Sequence, residues 1–343
     1  MSLKDRIIRL IEADGPMPIS MFMQMALHDP SEGYYATRPG LGQDFTTAPE
    51  TSQVFGELLG AWVVHEWDAL GRPQPFYLVE LGPGRGTLMV DALRAMSSSE
   101  TGRACLDALK LVLVEASPAL RKMQAERLQH ASPVFVDDLQ DLPDGPMLLL
   151  ANEFLDCLPA RQFERDKENK AWFEVRIGSE NGELTYGRVK ADLAWLSSET
   201  VDALDHQPGL LTLCEILSHK THPFRALFVD YGPIDKPPAG SLRAYKQGEQ
   251  VDPLDQPGAH DLTVDVDFGA LKTEAETAGL EVSGPLPQGQ FLLALGAQAR
   301  MQSLVRANPN NAQAIFDAAK RLVDPSDMGE RFKAICLSSS GLS

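Results

Sequence analysis

Bases are scarce in this chain: 31 lysines and arginines stand against 48 aspartates and glutamates, a formal charge of −17 over 343 residues. A nucleic-acid partner normally demands a basic surface, so neither RNA nor DNA is expected as a partner. Electrostatics favours a cationic substrate or a basic protein segment, within the about 8–10 Å that screening leaves in ordinary salt. Cysteine is also sparse. Cys105, Cys157, Cys214 and Cys336 form no C-x-x-C pair, which removes the usual zinc and redox spacings and leaves them as small buried hydrophobes. Neither H-E-x-x-H nor G-x-S-x-G occurs, so metal-dependent and serine hydrolysis lose support and no metal site is expected. No run approaches the ~20 apolar residues of a membrane span. The start, Met1-Ser-Leu-Lys-Asp-Arg, lacks the apolar stretch of a signal peptide, and a cytoplasmic location is the expectation. Internal repeats and low-complexity runs are absent.

What is present is a sizeable core: 43% of residues are hydrophobic, enough length and apolar content for one large α/β domain with insertions or for two domains. The strongest local signal is Phe76-Tyr-Leu-Val-Glu-Leu-Gly-Pro-Gly-Arg-Gly-Thr87, an apolar strand running into Gly82, Gly84 and Gly86 and then a helix from Thr87 to about Met96. Glycines there permit a tight turn and leave bare backbone for a ligand. A dinucleotide fingerprint requires its third small residue where Thr87 stands, so the fit is poor. With Glu80 two places before the first glycine, the string resembles the first motif of class I S-adenosylmethionine (SAM) methyltransferases. A pyrophosphate would be repelled by Glu80, whereas the sulfonium and amino group of SAM tolerate a carboxylate.

Polar groups recur at the ends of the next strands. Leu111–Val114 ends in Glu115, 33 residues after Gly82, and an acid there can accept bonds from both ribose hydroxyls. Val134–Val136 ends in Asp137 and Asp138, of which Asp137 is the preferred partner for an adenine amino group, although either acid suits a helix N-cap. Met147–Ala151 ends in Asn152-Glu153-Phe154-Leu155-Asp156, which would face the methyl group.

Upstream, Lys4–Ala13 reads as a helix, and Ser20 as the cap of a second, Met21–Leu27, whose methionines fit either a core or a pliable partner surface. A polar stretch ending at Glu50 reads as a lid or a connector, and Phe55 to Leu70 as an amphipathic helix. Downstream, Arg161–Phe163, Ala171–Ile177 and Glu183–Tyr186 read as hairpin strands around an Asn181-Gly182 turn. Helices are expected from Leu193 to His219, a fifth strand at Ala226–Tyr231, a helix near Phe268–Ala278, a strand at Gln290–Leu295, a helix near Asn311–Val323 and a last strand at Phe332–Leu337.

The strings Pro18-Ile-Ser-Met-Phe-Met, Gly33-Tyr-Tyr35, Asp44-Phe-Thr-Thr-Ala-Pro-Glu50, Phe55-Gly-Glu-Leu58, Glu80 to Thr87, Asn152 to Asp156, Leu242-Arg-Ala-Tyr245, Asp252-Pro-Leu-Asp255 and His260-Asp-Leu-Thr263 together resemble the MidA family of SAM-dependent methyltransferases. Its mitochondrial members assist assembly of respiratory complex I, and one of them dimethylates an arginine of a complex I subunit symmetrically. The resemblance implies a class I SAM-methyltransferase (Rossmann-like) α/β fold with a mostly parallel sheet. It also implies an N-terminal helical extension over residues 1–75, a catalytic domain over 76–343, and insertions after strands four and five at about 160–222 and 233–265. It implies SAM as cofactor, held by Thr46, Glu80, Gly82, Gly84, Gly86, Thr87, Glu115, Asp137 and Asn152, and a protein acceptor such as a complex I subunit. Carboxylates can orient a guanidinium through paired hydrogen bonds. The candidates are Glu153 first, then Asp156, with Glu50 or Asp230 as outer partners; Glu153 equally suits capping the short helix before Pro159. Tyr34, Tyr35 and Phe154 are candidates for a crevice wall or for plain core. Two rival functions stand beside this one, an NAD-dependent oxidoreductase and a SAM-binding assembly chaperone without catalysis.

Overall fold

The structure, a computed structural model, describes residues 1–37, 47–193 and 201–341. It divides into two compact units, one of Met1–Phe45, Asp156–Leu210 and Pro233–Ala270, the other of Thr46–Leu155, Leu211–Gly232 and Leu271–Ser343.

The second unit is built on seven strands: β1 Phe76–Leu81, β2 Leu109–Val114, β3 Val134–Val136, β4 Met147–Asn152, β5 Phe224–Tyr231, β6 Glu281–Pro287 and β7 Phe332–Ser338. They lie in the order β3-β2-β1-β4-β5-β7-β6. The first five are parallel, and β7 runs antiparallel to both of its neighbours. Strands β1, β2, β4 and β5 are apolar almost throughout because both faces are covered. Phe76, Leu78, Leu111, Leu113, Leu148, Leu150, Leu227 and Val229 enter one core with Phe55, Leu59 and Val63 of helix Gln53–Ala69 and with Leu88 and Met89 of helix Thr87–Met96. The boundary at residue 75 expected from the sequence therefore differs from this division, since the core draws helix Gln53–Ala69 onto the sheet.

The first unit holds helices Leu3–Asp14 and Ile19–His28 and two small antiparallel sheets. Ser2 and Asp5 form a capping box on the first helix. The second begins two residues earlier than expected, at Ile19 after Pro18, and Ser20 does not cap it. Met17 and Met23 are core residues with Ile7, Phe22 and Leu27, while Met21 is exposed. In the larger sheet, Trp172–Glu180 and Glu183–Lys190 form a hairpin around Asn181 and Gly182, both at positive φ (53° and 79°), the geometry that an Asn-Gly turn favours.

Two expectations are corrected. Gln290–Leu295 lies mainly in helix Gln288–Ala294, with Leu292 buried and Leu293 exposed; a short apolar run does not distinguish strand from helix. Between Leu193 and His219, the described residues contain a strand, Ala203–His206, before helix Pro208–Ser218. The strand pairs with Arg161–Arg165, so its structure is set by a partner some 40 residues away. No helix among the described residues is long and apolar enough to cross a membrane.

Candidate cofactor and catalytic site

The parallel register aligns the carboxyl ends of β1, β2 and β4. Beyond the strands, Gly82 N–H donates to Val114 O (3.1 Å), Glu115 N–H to Val136 O (3.1 Å) and Glu153 N–H to Val229 O (2.9 Å). Each polar residue that follows a strand is thus anchored by its neighbour. Gly82, Gly84 and Gly86 have φ of 59°, 53° and 74°, a left-handed succession that side chains other than glycine adopt at a cost. A Cβ on Gly82 would stand 3.3 Å from the Phe154 ring.

Glu80 is buried at 3% exposure, and its Oε2 has no hydrogen-bond partner. Burial, and then the neighbouring Glu115 charge, push its carboxyl up to about 8. Glu115 is also buried and also raised by desolvation, although Ser117 N–H donates to its Oε1 (2.8 Å) and Gln124 Nε2 to its Oε2 (3.0 Å). Two buried carboxylates that repel each other favour a cation and hydroxyl donors, and would reject a pyrophosphate. The Asn152 Oδ1 acceptor is likewise buried and without a partner. These atoms and the glycine turn fit SAM.

The other predicted residues fall as follows. Asp137 is exposed and pairs with Arg121, whose Nε donates to the Glu115 carbonyl; Asp138 accepts from Gln140 N–H and caps a 3₁₀ turn. Thr87 Oγ1 donates to Glu50 Oε1 (2.5 Å), joining two residues named from the sequence, and accepts from Arg127 (3.0 Å). Glu153 sits at φ 49°, uncommon for a residue with a side chain and often found where function constrains the backbone. Its Oε1 accepts from Asn152 Nδ2 (3.0 Å) and from Ala48 N–H (3.3 Å) at the start of helix Ala48–Thr51. It thereby accepts an N–H at the start of that helix. Asp230, considered above as an outer partner, is buried and accepts from the backbone N–H groups of Phe154, Leu155 and Tyr231 at 2.8–3.0 Å; it holds the Glu153 turn in place. Asp156 belongs to the first unit, where its Oδ2 accepts from Thr263 Oγ1 (2.7 Å) and its carbonyl from Val264 N–H. Tyr34 is core, and the hydroxyl of Tyr35 contacts Cys157 Sγ and Asp261. Thr46 lies outside the described residues.

Helix Pro118–Arg127 supplies residues the sequence reading missed, Arg121, Gln124 and Arg127. A signal was available: Leu120, Gln124 and Leu128 are the buried positions at successive turns, so a polar residue occupies an apolar stripe.

Residues 58–286 match a family model described as "Putative S-adenosyl-L-methionine-dependent methyltransferase". The protein arginine methyltransferase NDUFAF7 homologue of Drosophila melanogaster, a mitochondrial protein, is 34% identical over 98% of this chain and 84% of its own length. Human mitochondrial protein arginine methyltransferase NDUFAF7 is 34% identical over 95% of this chain and 81% of its own. The crystal structure of a COG1565 superfamily member from Burkholderia thailandensis, bound to S-adenosyl-homocysteine, superposes with a TM-score of 0.85 over 99% of this chain and 92% of that one, at 24% identity. This last likeness shows the fold. The mitochondrial names of the curated relatives overturn the cytoplasmic expectation.

Proposed function

Since the chain belongs to the S-adenosyl-L-methionine-dependent methyltransferase family and uses SAM, we propose that its methyl acceptor is an arginine guanidinium of a protein, a subunit of respiratory complex I as the MidA resemblance implies. The observation that carries this reading is the match over nearly the whole chain to relatives named protein arginine methyltransferases. The constrained carboxylate at the end of β4 supports it.

Glu80, Glu115, Asn152 and the turn of Gly82, Gly84, Gly86 and Thr87 would hold SAM, with Asp137 beside the adenine and Thr46 completing the set. Bound SAM supplies an electrophilic methyl group on a sulfonium sulfur. This chain supplies orientation and charge. Glu153, fixed through Oε1 by Asn152 and Ala48, would accept guanidinium N–H groups, drawing the positive charge toward the nitrogens it binds and leaving another with a more available lone pair. Such positioning is worth up to about 7–11 kcal/mol for ideally placed reactants. Asp156 and Glu50 are the further carboxylates proposed for the acceptor. The insertions expected at about 160–222 and 233–265 and the N-terminal helices are proposed to select the acceptor protein.

The test is transfer of labelled methyl groups from SAM into a lysate of cells lacking this protein. One labelled protein is expected, modified on arginine; label on another residue type would sink the arginine assignment. SAM binding with no transfer would favour an assembly chaperone, and binding of NAD in place of SAM an oxidoreductase. Glu153→Gln is expected to bind SAM normally and to turn over at least about tenfold more slowly, in line with loss of one positioned carboxylate; unchanged turnover would remove Glu153 from the catalytic set.

A further inference from the structure

Gln124 is fully buried on helix Pro118–Arg127, and its Nε2 donates to two acceptors at once, the Gly84 carbonyl (2.7 Å) and Glu115 Oε2 (3.0 Å). A side-chain amide nitrogen carries two hydrogens, and here each has its own acceptor. The reverse amide orientation would set Oε1 against two oxygens, so the network fixes the amide. One acceptor belongs to the glycine turn after β1; the other is the carboxylate after β2. We propose that Gln124 is a positioning residue for the cofactor's ribose: it locks the Glu115 carboxylate and the backbone at Gly84 in one mutual geometry, so that Glu115 receives the ribose hydroxyls without reorganising.

Chemistry limits what can replace it. Each oxygen of Glu115 already has one donor, from Ser117 N–H on Oε1 and from Gln124 on Oε2, and a carboxylate oxygen accepts more than one hydrogen bond. Two fixed donors therefore set the carboxylate plane while leaving acceptor capacity for hydroxyls. Methionine has similar length but no donor. An ionised glutamate would set a second carboxylate against Glu115 and repel the Gly84 carbonyl; protonated, it would restore one donor.

This inference rests on the reading of Glu115 as the ribose acceptor, and the experiment separates the two. Affinity for S-adenosylhomocysteine and for its 3′-deoxyribose analogue is measured by calorimetry on the wild-type protein, Gln124→Met, Gln124→Glu and Glu115→Ala, each checked for folding by circular dichroism. Wild type should prefer the full ribose. Gln124→Met should bind S-adenosylhomocysteine about tenfold more weakly, the loss of two modest hydrogen bonds, and should lose most of the preference between the two ribose forms. For Gln124→Glu, the deficit relative to wild type should shrink as pH falls from 8 to about 5.5, as the introduced carboxyl becomes protonated. If Glu115→Ala abolishes the preference while Gln124→Met keeps it, the positioning role is overturned and the ribose reading stands. If Glu115→Ala keeps the preference, the ribose reading itself is overturned. A pH-independent deficit in Gln124→Glu would mark a packing defect and would also overturn the proposal.

Discussion

At the scale of single residues, the burial of Glu80 makes stability and cofactor affinity pull against each other. In the folded chain its carboxyl titrates near 8, raised by desolvation and by Glu115 from an ordinary value of 4.5. Between those values the unfolded chain has released a proton that the folded chain keeps. The folded state is therefore favoured below pH 4.5 and loses this contribution progressively as pH rises to about 8. Glu80→Gln removes the titration. Its stability relative to wild type, measured by urea unfolding without ligand, should rise from pH 5 to pH 8 and then level off, while its affinity for SAM should fall about tenfold for want of a counter-charge. A flat difference across that range would show that Glu80 does not carry the proton. The glycines and Glu80 were legible in the sequence because a strand end and a turn are local. The hold of Asp230 on the Glu153 turn and the bonds of Gln124 were not legible, because they are made to backbone groups 76 and 40 residues away.

At the scale of elements, the contact between helices Gln53–Ala69 and Thr87–Met96 depends on Gly56 and Gly60, four residues apart on one face. A Cβ on Gly60 would stand 2.6 Å from the Ala92 carbonyl oxygen, and one on Gly56 would stand 2.8 Å from that of Leu88. Both neighbours are helix backbone, which cannot give way singly. Alanine in a helix interior gains up to about 1 kcal/mol over glycine, whereas overpacking a close contact costs about 1–3 kcal/mol, so the clash wins. Gly60→Ala should lower the midpoint of thermal unfolding, and Gly60→Val should lower it further; a gain in stability for Gly60→Ala would show that the helices separate freely. The amphipathic pattern from Phe55 onward disclosed this helix, yet the glycines on its packed face gave no sign of their partner. Elements with their own turn chemistry, such as the Asn181-Gly182 hairpin, were readable, whereas strand Ala203–His206 was not, because the strand it pairs with ends at Arg165.

At the scale of the whole molecule, the division into units follows contacts that a linear reading does not contain: the two N-terminal helices share a core with segments beginning at Asp156 and Pro233. Sequence patterning suggested insertions at about 160–222 and 233–265 but said nothing of which segments share a core. The net charge of −17 is a property of the entire chain, and it bears on the proposed acceptor. If that acceptor is an arginine-bearing basic segment, the field of the protein should raise its encounter rate and its affinity, and salt should weaken both by shortening the reach of that field from about 14 Å at 0.05 M to about 4 Å at 0.5 M. Guanidinium alignment at Glu153, at hydrogen-bond range, should be screened far less. Steady-state methylation of an arginine-rich peptide should accordingly show KM rising about threefold or more across that salt range while kcat changes less than about twofold. A KM insensitive to salt would mean that the acidic surface serves solubility alone. A kcat that fell in step with affinity would instead place the electrostatic contribution in the transition state, at the carboxylates themselves.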